Sequence, residues 1–191
     1  AVLGTSQIQA ITTDQIQTIS TAAIKSLSVE QMFSLITAQI AHLGTDQIAS
    51  LQAQQVAGIE SSDISAFNSS QLGALNPNSL KALTPNQFGA LNSAYVLAMT
   101  TEQVASLTTA QIRALSTSQV SALSTANIQA LQTAQVAVLY SSQAVAVTTS
   151  QISALSTTSL VALSTDLLQL LGTAQIAALS TYQTAALLTS Q

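Results

Sequence analysis

Residues Leu107–Leu139 read LTTAQIRA, LSTSQVSA, LSTANIQA, LQTAQVAV, L. A large apolar residue returns at every eighth place: Leu107, Leu115, Leu123, Leu131, Leu139. Numbering that residue position zero, the same octad runs in both directions to the limits of the 191-residue chain, from Leu3 to Leu187. All 24 zero positions are apolar, and no insertion or deletion breaks the phase. One added or missing residue would turn every later unit out of the core, so strict phase predicts units that stack on one another. A fixed short period also overrides the domain count that length alone would give. The expected organisation is one repeat array over 1–191, a segment of a longer array.

Each position of the octad has its own chemistry. Position five is a second apolar site, as in Ile8, Ile16, Met32 and Ile176, with Ala144 and Thr184 as late exceptions. Position seven is small almost everywhere, which points to close approach of a neighbouring unit; His42, Val138 and Leu170 depart from it. Position four is Gln in 17 of 24 units, and position one is mostly Ser, Thr, Asn or Gly. Positions one and four spell S/T-x-x-Q, the capping box that opens a helix. The hydroxyl accepts from the backbone N–H three residues on, and the Gln reaches back to the N-cap N–H. Positions zero and five then form the hydrophobic staple of the same helix start.

Three further features agree on where each helix begins. Pro77 and Pro85, the only prolines, fall at position two, which is the first helical residue. Asp14, Glu30, Asp46, Glu102 and Asp166 fall in the first turn, and Lys25, Lys81 and Arg113 fall near the helix end. That is the charge order the helix dipole favours. The sequence therefore predicts an all-α solenoid of about 24 short helices, each of about six residues. The number of octads per turn is left open.

Two other architectures compete. In one continuous helix, eight residues would move the apolar stripe by about 80° per unit and wind it round the whole surface. A β-solenoid would suit the Thr content, but alternation with period two is missing, and Ala and Gln form strands poorly.

Composition excludes several functions. Charged residues are 5% of the chain and aromatics 3%, while 48% is hydrophobic. The surface is then built from Ser, Thr, Gln, Asn and Ala, with little charge repulsion between copies. End-to-end or side-by-side self-association is expected, with a protein or glycan surface as a further partner. Three scattered cations leave no footprint for nucleic acid. No apolar run is long enough to span a membrane, and no signal peptide is visible. Neither extremity, Ala1 or Gln191, shows a polar capping unit, which fits an array that continues or stacks on other copies.

Candidate chemistry is sparse. There is no Cys, and His42 is the one histidine, too few good ligands for zinc. A nucleophilic Ser or Thr would have His42 as its only imidazole base. Asp14, Glu30 and Asp46 recur every second unit, but isolated carboxylates do not supply the oxygens a calcium ion wants. Glu60 and Asp63 lie where a unit has lost its Gln, and Asp63 is expected to take over the reach-back cap. Tyr95, Tyr140 and Tyr182 occupy different octad positions and build no stacking ladder. The Ser and Thr pairs could form hydroxyl ladders for ice, although position one is already committed to the cap. No catalytic, cofactor-binding or metal residue is assigned, and no enzyme activity is expected.

Octads such as LTTAQIRA, LSTSQVSA and LGTAQIAA resemble the L-[ST]-T-x-Q-[IV]-x-A tandem repeats of very large bacterial surface proteins, adhesin-like chains also labelled for haem utilisation. The resemblance runs through all 191 residues and rests on the repeat alone. It implies an extracellular or cell-surface stalk, fibre or adhesive array. It carries over no functional residue, and His42 is the only residue that could serve as a haem ligand.

Overall fold

A computed structural model describes residues 3–187. Among them are 23 α-helices of four to six residues and no strand, from Thr5–Gln9 to Thr181–Ala186. The chain is an α-solenoid of short helices, and the β-solenoid and long-helix alternatives fall away. The expectations placed on Ala1 and Gln191 lie outside the described residues.

The octad phase of the helices is the one the caps predict. Gln111 N–H donates to Thr108 Oγ1 at 3.2 Å, and Thr108 N–H donates to Gln111 Oε1 at 2.9 Å. Where the N-cap offers no side-chain oxygen bond, as at Gly4, Ile36, Gly44 and Tyr140, the Gln half of the exchange persists. Pro77 and Pro85 open their helices, the acids stand in first turns, and Lys25, Lys81 and Arg113 stand in last turns. Hydrogen bonds to its own backbone N–H, and then to Ser28, hold the Glu30 carboxyl below the usual carboxylate range.

No described residue has a positive φ, so these helices do not end on a left-handed glycine. They end because position zero turns extended, as at Leu115 (φ −62, ψ 131), and the N-cap after it is extended too, as at Ser116 (φ −69, ψ 163). Two extended residues between helices re-aim each one. Helices this short do not recover their nucleation cost alone, so packing must hold them.

That packing is not between sequence neighbours. Thr37–Ala41 packs on Thr13–Thr18, Pro77–Ala82 on Ala53–Ala57, and Ser141–Ala146 on Thr117–Ala122, each three helices apart. Positions zero and five fill the interior between them, from Ile8 and Leu35 to Leu168 and Leu171. The chain forms two compact units, residues 1–98 and 99–191.

Position seven also behaves as its size predicts at one close approach. A Cβ added at Gly58 would lie 2.7 Å from Val29 Cγ1. His42 and Leu170, the large residues at this position, project into solvent.

Candidate functional site

The most regular constellation in the molecule is a ladder of Gln side chains. Oε1 of each is taken by the cap of its own helix, which leaves Nε2 to point back at the preceding coil. Gln39 Nε2 donates to the carbonyls of Ile8 at 2.8 Å and Ile11 at 2.7 Å. Gln47 repeats this on Ile16 and Ile19, Gln55 on Ile24 and Leu27, and Gln71 on Ile40 and Leu43. In the second unit Gln135, Gln143, Gln151 and Gln183 do the same. The acceptors lie 31 and 28 residues back, at positions five and zero. With helices packing three octads apart and amides reaching 3.5 octads back (28/8), a coil closes in between three and four octads. These glutamines are buried, so each satisfied amide removes a penalty that an unpaired one would carry.

The ladder has identifiable gaps. Ser79 Oγ and Asn127 Nδ2 are shorter and reach only the position-zero carbonyl, Leu51 at 2.8 Å and Met99 at 3.1 Å. The Asp63 side chain has no N–H to give, in contrast to the Gln amide. It does not replace the reach-back cap as the sequence led us to expect, because its helix has no capping box. The buried carboxylate instead accepts from Thr37 Oγ1 at 2.5 Å. Tyr95 is 0% exposed and its hydroxyl has no hydrogen-bond partner. Burial alone pushes that phenol far above its ordinary range.

Among the described residues, His42 and the carboxylates stand apart from one another rather than in a cluster. His42 is exposed and its Nδ1 lies 2.8 Å from the Ala38 carbonyl, within its own helical turn. Among the described residues, no three His, Cys, Asp or Glu side chains are grouped to hold a metal. Arg113 stacks over Tyr140, 5.1 Å from the ring centroid, and its Nε donates to the Val138 carbonyl. No helix among the described residues is long and apolar enough to cross a membrane.

Apolar side chains interrupt the polar exterior at several places, Leu97, Val145 and Leu170 among them. Val29, Phe33 and Ile36 are exposed, Phe33 by 59%. Val29 and Phe33 line a crevice of about 530 Å³ together with Glu30, Glu60, Thr5 and Gln9. A further surface is the open face of the first coil, an apolar recess of about 440 Å³ lined by Leu3, Ile11, Ile19, Leu27 and Leu35 among others. The crevice is not legible in the order of residues, because only the coil brings Glu60 beside Phe33.

Comparison with known families finds a similar repeat in the middle of the chain. A family model described as the ALTTAQ repeat matches residues 56–93, 78–109 and 96–133. The chain is therefore a repeat protein whose central octads are similar to that repeat. No curated protein matches it.

Proposed function

We propose that the chain is a structural segment, a spacer or fibre-forming array of a secreted bacterial surface protein, and has no catalytic role. The observation that carries this reading is the Gln ladder. Gln, which holds position four in 17 of 24 units, is spent on joining one coil to the next, and the interior is filled by the chain's own side chains. The match to a tandem-repeat family and the neutral hydroxyl and amide exterior support it. Self-association, end to end or side by side, belongs to the same reading, since little charge keeps copies apart. Antibodies against the purified chain should decorate intact cells of its source, and external protease should remove the signal. Labelling only after the cells are broken would contradict the extracellular assignment.

The crevice at Phe33 favours a second reading, a repeat-based binding face for a protein or glycan. There an exposed aromatic, Phe33, shares a crevice with two carboxylates, Glu30 and Glu60. Phe33→Ser would then abolish adhesion of the chain to a responsive surface; equal adhesion by both forms would remove this reading.

A further inference from the structure

The crevice at Phe33 carries a charge that none of its lining residues answers. It continues past Phe33 into a second recess of about 270 Å³ reached by Ile36, Thr37 and Asp63, and Gln9, Phe33, Ser34 and Glu60 line both. Its walls come from three successive coils, at residues 5–9, 29–37 and 60–63, so its centre lies between coils of this chain. Phe33 and Ile36 are exposed there. Glu30, Glu60 and Asp63 line it, and no Lys or Arg is among the lining residues.

Asp63 sharpens the demand for a cation. It is 7% exposed, and Oδ1 accepts from Thr37, while Oδ2 receives no hydrogen bond from a described residue and opens onto the recess. A carboxylate this deep costs free energy unless an opposite charge or further donors meet it. The carboxylates do not converge to hold a metal ion, so the charge that fits is spread over an organic group. The chain itself shows which group these octad positions accept. Phe33 and Glu60 stand at positions six and one, 27 residues apart, and so do Arg113 and Tyr140, where the guanidinium lies 5.1 Å from the ring centroid. Arg113 and Tyr140 supply a cation and a ring. Phe33 and Glu60 supply a ring and a carboxylate, and the cation has to come from elsewhere.

We infer that this crevice binds an arginine side chain of a partner protein, with the guanidinium stacked on Phe33 and its N–H groups donating to Glu60 and to Asp63 Oδ2. This rests on the binding-face reading above and gives that face a ligand. A guanidinium is flat, carries five donors in a fixed fork and is weakly hydrated, so it covers a ring and serves carboxylates at once. A lysine ammonium is a compact, strongly hydrated charge that leaves part of the ring and one carboxylate unserved. Exposed Val29 and Ile36 offer apolar edges to the methylene stem. Glu30 adds negative potential at the mouth, an attraction that salt screens.

The test is a nuclear magnetic resonance titration of the labelled chain with acetyl-glycyl-arginyl-glycinamide, set beside the citrulline tripeptide, which has the same shape and no charge. The arginine peptide should give saturable shifts confined to the amides of residues 5–9, 29–37 and 60–63, and the citrulline peptide none. Phe33→Ser, Glu60→Gln and Asp63→Asn should each weaken binding by about threefold or more, with helical circular dichroism unchanged. Shifts that fail to saturate or spread over the whole chain, equal binding of citrulline, or binding that any of the three variants leaves unweakened would overturn the proposal. So would a lysine tripeptide or tetramethylammonium that binds as tightly as arginine, because the site would then read charge alone. Self-association of the chain that Arg113→Gln abolishes would overturn it too, since the occupant would be a second copy. The adhesion experiment reads a surface and the titration reads a site, so either can fail without the other.

Discussion

The side-chain amide of Gln143 donates to the carbonyl of Ile112 at 2.8 Å, across 31 residues of chain. The same nitrogen serves Leu115 at 2.8 Å, and the same side chain's Oε1 accepts from Tyr140 N–H at 2.9 Å. One residue thus starts its own helix and joins it to the previous coil. Gln143→Ala should destabilise the chain by about 2–4 kcal/mol in urea unfolding, since it strands buried backbone groups on both sides.

Gln143→Glu separates the two roles. The carboxylate keeps the cap but faces two carbonyls where the amide gave two donors. Burial beside carbonyls raises the carboxyl pKa of the folded state above its unfolded value. Folded stability is then greatest below the unfolded value, about pH 4.3, and falls as pH rises through the raised one. Unfolding midpoints of this variant should lie well below those of the unaltered chain at pH 7 and approach them at pH 4. Equal deficits at both pH values would show that the amide donors contribute little.

Tyr95 interrupts the ladder with a buried hydroxyl that bonds nothing. Removing it costs no hydrogen bond, so Tyr95→Phe should be neutral or stabilising by up to about 1 kcal/mol. The folded-state pKa is raised, so this phenol contributes stability below about pH 10 that is lost as pH climbs. Alkaline unfolding should accordingly be shallower in the Phe variant.

Ile36 stands at an N-cap, where Gln39 supplies the only half of the exchange, and it is 46% exposed. Ile36→Ser adds the missing oxygen and should raise stability by about 1 kcal/mol, seen as a higher thermal midpoint.

Gly58→Ala should lower stability by about 1 kcal/mol despite the better helix propensity of Ala, because the new methyl meets Val29 Cγ1 and valine is stiff at χ1. The double variant with Val29→Ala should recover most of the loss. Additive effects in this cycle would argue that the two octads do not touch.

Much of the fold was legible because the octad encodes local structure redundantly. Pro77, the acids, the cations and the S/T-x-x-Q pairs all mark the same helix start, so short helices follow from residue types alone. The long-range part was not legible. Strict phase implied stacking, but the partner octad depends on the turn made by two extended residues, such as Leu115 and Ser116, and no residue type reports that angle. The second use of Gln was missed for a related reason: the cap accounts for Oε1, and Nε2 has no partner until the coil closes. Asp63 was misread because a cap seemed its nearest role, whereas Thr37, 26 residues earlier, offers a hydroxyl. The Phe33 crevice, too, exists only once the coil sets Glu60 against Val29.

The central claim is that the Gln side chains tie each coil to the one before it. Scalar coupling across hydrogen bonds, measured by nuclear magnetic resonance on the labelled chain, reads this directly. Gln143 Nε2 should couple to the carbonyl carbons of Ile112 and Leu115, and Gln151 Nε2 to those of Val120 and Leu123. Side-chain amides that exchange freely with water, or that couple only within their own octad, would contradict the account.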